Sequence, residues 1–307
     1  MELTLHIGLK KTATSTLQST LYRERQRLAA AGLLLPQTPE VHHRLARRLR
    51  AATEGARRDV AGVLQPILDE IAATRPERVL LSSEHFVSLP APAVEELHRL
   101  LRRALPEARI RVLAYVREPI AFATSMAQQA LKNGLLRLSE AYAEPWRFPI
   151  ADWLGNHVRV FGRAEVVVRH FDPESMVGGT ILGDVLAAVG LPGALDGVKV
   201  PRLNPSLSLE GVQVADALCG LRPGAVRRAK GKGRYRRPLG AIKGSRFVLP
   251  AEVQERVVRD SAADMAWLKA EFGLDLVPLR VTVGPEPGLT EAEALARAQA
   301  IVAAVEG

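Results

Sequence analysis

The sequence predicts an α/β fold in three layers: a central, mainly parallel sheet flanked by helices, with a helical C-terminal half. Short strand-like runs recur at 2–7, 78–82, 110–116 and 165–170, each separated from the next by a long helix-compatible stretch. Two of these runs end in polar residues, Ser82-Ser83-Glu84-His85 and Arg117-Glu118, as strands do when they deliver side chains to the carboxyl edge of an open sheet. Beyond His170 the apolar spacing is almost entirely helical.

The elements follow in order. Glu2 to Ile7 alternates as a strand does, and the apolar residues after it recur at helical spacing, predicting a helix over 14–31. Further helices are expected over 55–74, 91–104, 120–133, 139–155, 174–189, 209–219 and 251–272. Lys230 to Ser245, KGKGRYRRPLGAIKGS, combines glycines, cations and a proline and reads as a mobile basic loop. The loop-like Val283-Gly284-Pro285-Glu286-Pro287-Gly288 then precedes a helical 289–306. The division expected is a main α/β domain over 1–275 and an extension with a packing helix over 276–307.

Composition narrows the partners. A chain of 307 residues with 47% apolar content can bury a substantial core. Lys and Arg outnumber Asp and Glu by 42 to 33, a net charge of +9 that favours an anionic ligand. Many of the cations lie in helical stretches such as Arg44 to Arg50, which read equally as a solvated face, and aromatics are only 5% of the chain, so nucleic acid is disfavoured. Cys219 is the single cysteine, in an apolar pattern that fits a buried structural thiol better than a nucleophile. No signal-peptide pattern opens the chain and no apolar run reaches the ~18 residues of a membrane span, so a cytoplasmic protein is expected. The seven histidines, including His42-His43, show no zinc-site spacing, and no catalytic metal is expected.

Three stretches carry residues suited to chemistry. HIGLKKTATSTLQ, from His6 to Gln18, sits at a strand-to-helix turn and offers backbone amides, hydroxyls and Lys11, the parts of a phosphate site. The same residues are equally compatible with Thr14 or Ser15 simply capping the helix. The spacing is not that of a Walker A loop, which disfavours an ordinary nucleotidase or kinase. In the second stretch an apolar strand leads to Arg117, with Pro119 next but one and Ser125 eight residues on; Arg117 suits a forked phosphate contact, or alternatively a surface pair with Glu118. In the third, Glu84 or His85 could take a proton from a substrate hydroxyl, or Glu84 could cap a helix or pair with an arginine.

Taken in chain order, the three stretches resemble the sulfotransferases that use 3′-phosphoadenosine 5′-phosphosulfate (PAPS), particularly the bacterial and carbohydrate-modifying branches. Lys10-Lys11-Thr12-Ala13-Thr14-Ser15 occupies the place of that family's Pro-Lys-Thr/Ser-Gly-Thr-Thr loop, and Arg117, Pro119 and Ser125 meet its second signature. The likeness extends to Ser82 to Phe86, to Phe171-Asp172 and to Asn204 to Ser208, over roughly residues 1 to 275. It implies a P-loop-like fold, with Lys11, Thr12, Ala13, Thr14, Ser15 and Thr16 around the 5′-phosphosulfate and Arg117 and Ser125 on the 3′-phosphate. It further implies Glu84 as general base, His85 as second choice, and Lys232 and Gly233 in a segment closing over the nucleotide. The donor site would need no metal, and the acceptor would be a hydroxyl of a carbohydrate or small metabolite. Two positions depart from the family: Ala13 stands for the loop glycine and Lys10 for its proline. A site weakened there would leave a nucleotide- or polyanion-binding module on the same fold, the alternative to an enzyme.

Overall fold

The computed structural model describes residues 1–55, 59–147, 149–200, 206–222, 235–276, 281 and 288–306. In chain order its elements are β1 (Glu2–His6), α1 (Thr14–Arg23), α2 (Arg25–Ala30), β2 (Leu33–Leu34), α3 (Pro39–Thr53), α4 (Ala61–Thr74), β3 (Arg78–Ser82), α5 (Ala91–Ala104) and β4 (Arg109–Val116). There follow α6 (Pro119–Lys132), α7 (Leu138–Ala143), α8 (Ile150–Phe161), β5 (Val166–His170), α9 (Ile181–Ala188), α10 (Leu209–Leu221), α11 (Arg236–Ala241), α12 (Ala251–Phe272) and α13 (Glu291–Glu306). Contacts divide the chain into two units. The first comprises Met1–Arg117, Pro149–Leu203 and Asp264–Leu276; the second comprises Glu118–Phe148, Asn204–Ala263 and Val277–Gly307.

The first unit holds the sheet. Its five strands are all parallel in the order β2-β3-β1-β4-β5, so the expected α/β architecture with a parallel sheet flanked by helices is what the chain forms. From β1 the chain moves outward to β2 and β3 on one side, and from β4 it moves to β5 on the other. The order therefore reverses between β1 and β4, and the crevice outside their carboxyl ends is the natural ligand position of such a sheet. The register pairs His6 with Ser82 of β3 and with Leu113 of β4, so β1 and β3 end level while β4 runs on to Val116.

Each sheet face is apolar for a reason visible in the alternation. Leu80, Leu113 and Tyr115 share one face and pack with Leu17 and Leu21 of α1 and Val185 and Leu186 of α9. Within that layer the buried Asp184 accepts from Tyr115 Oη at 2.7 Å, from Arg169 Nη1 at 2.9 Å and from the Val177 amide at 3.0 Å, tying β4, β5 and α9 together. Leu3, Leu5, Val79, Leu81, Ile110 and Val112, which point the opposite way, are also buried. α3 contacts β3 and α8 contacts β4, while α5 packs on both α3 and α8.

The second unit is helical. Ala123, Ala127 and Leu131 of α6, Val212, Ala215 and Leu218 of α10, and Ala294 and Ala298 of α13 form its buried cluster with Leu239, Phe247 and Leu249. The end of α13 is held by Glu306, which accepts from Tyr235 Oη at 2.6 Å and pairs with Arg222 at 3.2 Å. Cys219 is half-buried against this cluster, and burial, then the charge of Asp216, pushes its thiol up from the ordinary range. No helix among the described residues is long and apolar enough to cross a membrane.

Several boundaries differ from the sequence expectation. The helix expected over 14–31 is broken at Glu24 into α1 and α2, and the short β2 follows. The helix expected over 139–155 is two, because Pro145 and Pro149 interrupt it between α7 and α8. α9 starts at Ile181 rather than 174, because Gly178 and Gly179 both take φ of 65° and Thr180 caps the helix by accepting from Gly183 N. α3 was visible only as a charged helical stretch, although His42, Leu45, Ala46 and Leu49 are its buried stripe. In the expected basic loop, the described part carries α11, anchored by the buried Tyr235 and Leu239. Pro238 falls in the first turn of that helix, where its missing N–H costs no hydrogen bond.

Candidate functional site

The loop from Ile7 to Ala13 leaves β1 at the point where the sheet order reverses, and its backbone is unusual. Gly8, Lys11 and Ala13 all take positive φ, at 46°, 72° and 56°. Ala13 is the N-cap of α1 in left-handed conformation, and no side chain caps the helix. Thr14 and Ser15 are already helical, so neither serves as the cap. The first-turn amides of α1 thus have no intrahelical acceptors and no side-chain cap, which together with the helix dipole makes an anion-attracting end. Thr12 is fully buried and its hydroxyl donates to Leu9 O at 2.6 Å, so it braces the loop from inside.

Gly8 is fixed by space as well as by conformation. A β-carbon there would meet Thr14 Oγ1 at 3.1 Å and Glu84 Cα at 3.6 Å. Gly8→Ala is therefore expected to destabilise the protein by about 1–2 kcal/mol, since left-handed backbone carries that penalty for an L-residue. Ala13 already bears such a penalty. Ala13→Gly should leave the melting temperature nearly unchanged, because relief of strain is offset by unfolded-state entropy, whereas the β-branched Ala13→Val should lower it clearly. Thermal melts of the three variants check both; a Gly8→Ala variant as stable as the parent would contradict the loop conformation.

Arg117 follows β4 directly and reaches the loop from the neighbouring strand end. Its Nη1 donates to Lys11 O at 3.3 Å and its guanidinium lies 5.7 Å from the Phe171 ring centroid. The Arg117 guanidinium is thereby held at the backbone of Lys11, on the rim of the crevice. Glu118 is buried, and its carboxylate accepts from the amides of Ile120 and Ala121 at 2.8 and 2.7 Å, capping α6. Ser125 lies half-buried on α6 in the second unit, and Lys232 and Gly233 lie outside the described residues.

The end of β3 is held by histidines. Ser82 Oγ lies 2.8 Å from His6 Nδ1, and Gln18 of α1 donates to Ser82 O at 3.1 Å. The Ser82 amide donates to His42 Nδ1 at 3.2 Å, while His42 Nε2 bonds Pro36 O at 2.7 Å. Because Nδ1 is the acceptor, His42 carries its proton on Nε2. Ser83 Oγ accepts from the His85 amide at 3.2 Å and bonds His43 Nδ1 at 2.7 Å. These bonds fix the turn that presents Glu84 and His85. Glu84 is half-buried and its Oε2, shielded from solvent, has no hydrogen-bond partner; His85 is exposed.

Sequence reasoning singled out Glu84 and His85 but not their supports. His42 and His43 drew notice only as an unlikely zinc pair, and Gln18 and His6 drew none beyond the loop itself. The signal for Gln18 and His42 was a polar residue on the apolar stripe of an amphipathic helix. Among the described residues no group of three or more His, Cys, Asp and Glu side chains could hold a metal ion.

Burial controls the titration of three of these histidines. It holds His6, His42 and the buried His157 of α8 down at about 4, against an ordinary 6.5. As pH falls below 6.5 the unfolded chain takes up these protons and the folded chain does not. Stability should therefore decline from pH 6.5 to about 4, by on the order of 3 kcal/mol for each group at most. Urea unfolding at intervals from pH 7.5 to 4.5 reads this directly; a stability flat down to pH 5 would contradict it.

The chain matches no protein-family model and no curated protein. It is similar in structure to a sulfotransferase from Alicyclobacillus acidocaldarius, with a TM-score of 0.47 and 16% identity over 90% of this chain and 97% of that one.

Proposed function

We propose that the protein is a PAPS-dependent sulfotransferase that transfers a sulfuryl group to a hydroxyl of a carbohydrate or small-metabolite acceptor. One juxtaposition carries this reading. At the reversal point of the sheet, a loop with an uncapped helix start meets the guanidinium of Arg117, which donates to the Lys11 carbonyl, and the backbone of Glu84 lies against Gly8 of the same loop.

The residues fit a doubly anionic nucleotide. The loop amides of residues 12–16 and Lys11 would hold the 5′-phosphosulfate, and Arg117 the 3′-phosphate. When bound, the donor supplies an activated sulfuryl group. Glu84 would take the proton of the acceptor hydroxyl as its oxygen forms the new S–O bond, on a carboxylate already stripped of water and hydrogen-bond partners on one oxygen. Lys11 and the first-turn amides of α1 would stabilise the negative charge that gathers on the departing phosphate oxygen. His85, beside Glu84 and more exposed, would stand at the acceptor side.

The test is transfer of labelled sulfate from PAPS to a panel of hydroxyl acceptors, run beside calorimetry with 3′-phosphoadenosine 5′-phosphate. Binding accompanied by transfer supports the reading. Tight binding with no transfer to any acceptor supports the alternative of a nucleotide-binding module, and no binding overturns both.

A further inference from the structure

α3 presents a stripe that the donor site does not use. Glu40, His43, Arg47 and Arg50 recur at helical spacing and so share one face of α3. Two of them dock that face along residues 83–88: His43 Nδ1 bonds Ser83 Oγ at 2.7 Å, and Arg50 Nη2 bonds Ser88 Oγ at 2.9 Å and also Ser88 O. Arg47 lies between these anchors and remains open, its side chain 54% exposed. Its partner is Glu40 at 2.5 Å, itself 72% exposed, a contact that contributes little and exchanges readily for another carboxylate.

The His43 ring meets the His85 ring edge-on, with centroids 5.2 Å apart. His85 also lies within electrostatic reach of Glu84, Arg47 and Lys10. With both imidazoles neutral, Lys10 and Arg47 are balanced by Glu40 and Glu84. Protonating the two histidines adds two positive charges to a solvent-open face directly beside the proposed base.

We infer that His43, Arg47, His85 and Lys10 form a subsite for a carboxylate carried by the acceptor next to the hydroxyl that is modified, as in a uronic acid, and that it tightens as pH falls. The inference rests on Glu84 being the base of the proposed reaction. A carboxylate suits the planar fork of Arg47, which already holds one in Glu40. Partial burial lowers the His85 pKa, Glu84 opposes this, and the charges of His43, Arg47 and Lys10 lower it further. An anion placed among these cations reverses that repulsion and raises the affinity of both rings for protons.

The test is an NMR titration of the histidine rings of the full chain, assigned with His43→Gln and His85→Asn, in sodium glucuronate, in glucose, and in sodium chloride of equal ionic strength. The midpoints of His43 and His85 should rise with glucuronate by about half a pH unit or more, a roughly threefold preference for the protonated face. The rise should saturate, and Arg47→Gln should cut it. A rise no larger than that in chloride, or none, overturns the subsite. Calorimetry with 3′-phosphoadenosine 5′-phosphate on the same samples separates the two ideas. Nucleotide binding with unmoved histidines overturns the subsite alone; moved histidines without nucleotide binding leave a carboxylate site standing but overturn the donor assignment and with it the site's role toward a sulfated acceptor.

Discussion

Glu84→Gln is expected to lower sulfuryl-transfer turnover by roughly a hundredfold or more, the usual contribution of a positioned general base, while nucleotide affinity stays within about twofold. The two effects separate because glutamine keeps the shape of the side chain and removes only its basicity. Glu84 packs against Gly8 through its backbone, so the loop conformation does not depend on the charge of its carboxylate. The Oε2 atom is shielded and unpartnered, so it does not serve as a structural anchor. Steady-state kinetics with calorimetry of the product nucleotide reads both quantities. Full turnover in Glu84→Gln with its loss in His85→Asn would move the base to His85.

Arg117→Ala should weaken binding of 3′-phosphoadenosine 5′-phosphate by well over tenfold, since a charged contact to phosphate contributes on the order of 2 kcal/mol or more. Two losses combine in this variant: a cation at the crevice and the brace from β4 to Lys11 O. Arg117→Lys should recover only part of the affinity, because an ammonium supplies a point charge without the planar fork. Lys11→Ala should reduce turnover more than affinity, since its proposed role is greatest when charge has moved onto the leaving oxygen. Retention of full affinity and turnover in both alanine variants would remove the donor site from this loop.

The sheet was legible because its strands are short, apolar and separated by long helical stretches. β3 was bounded by its own composition, and α5 and α12 by their apolar periodicity. β2 was not legible: two leucines carry no period and become a strand only by pairing with Arg78 and Val79. α3 was hidden by its arginines, whose charge dominates a stripe that buries only four residues. In the site, Lys11, Arg117, Glu84 and His85 were visible because strand ends and turns concentrate polar residues. Their supports were not, because Gln18, His42 and His43 act across 40 or more residues of sequence through one or two hydrogen bonds each to Ser82 or Ser83. The positive φ of Lys11 was equally invisible, since a lysine does not announce a left-handed backbone, whereas that of Ala13 was signalled by its standing where the resembled family has glycine.

The most direct measurement is calorimetric titration of the protein and its Arg117→Ala variant with 3′-phosphoadenosine 5′-phosphate. Saturable one-to-one binding by the parent chain, weakened more than tenfold in the variant, is the predicted result. No binding by the parent, or equal affinity in both, would contradict the assignment of the Ile7 to Ala13 loop and Arg117 as a donor site.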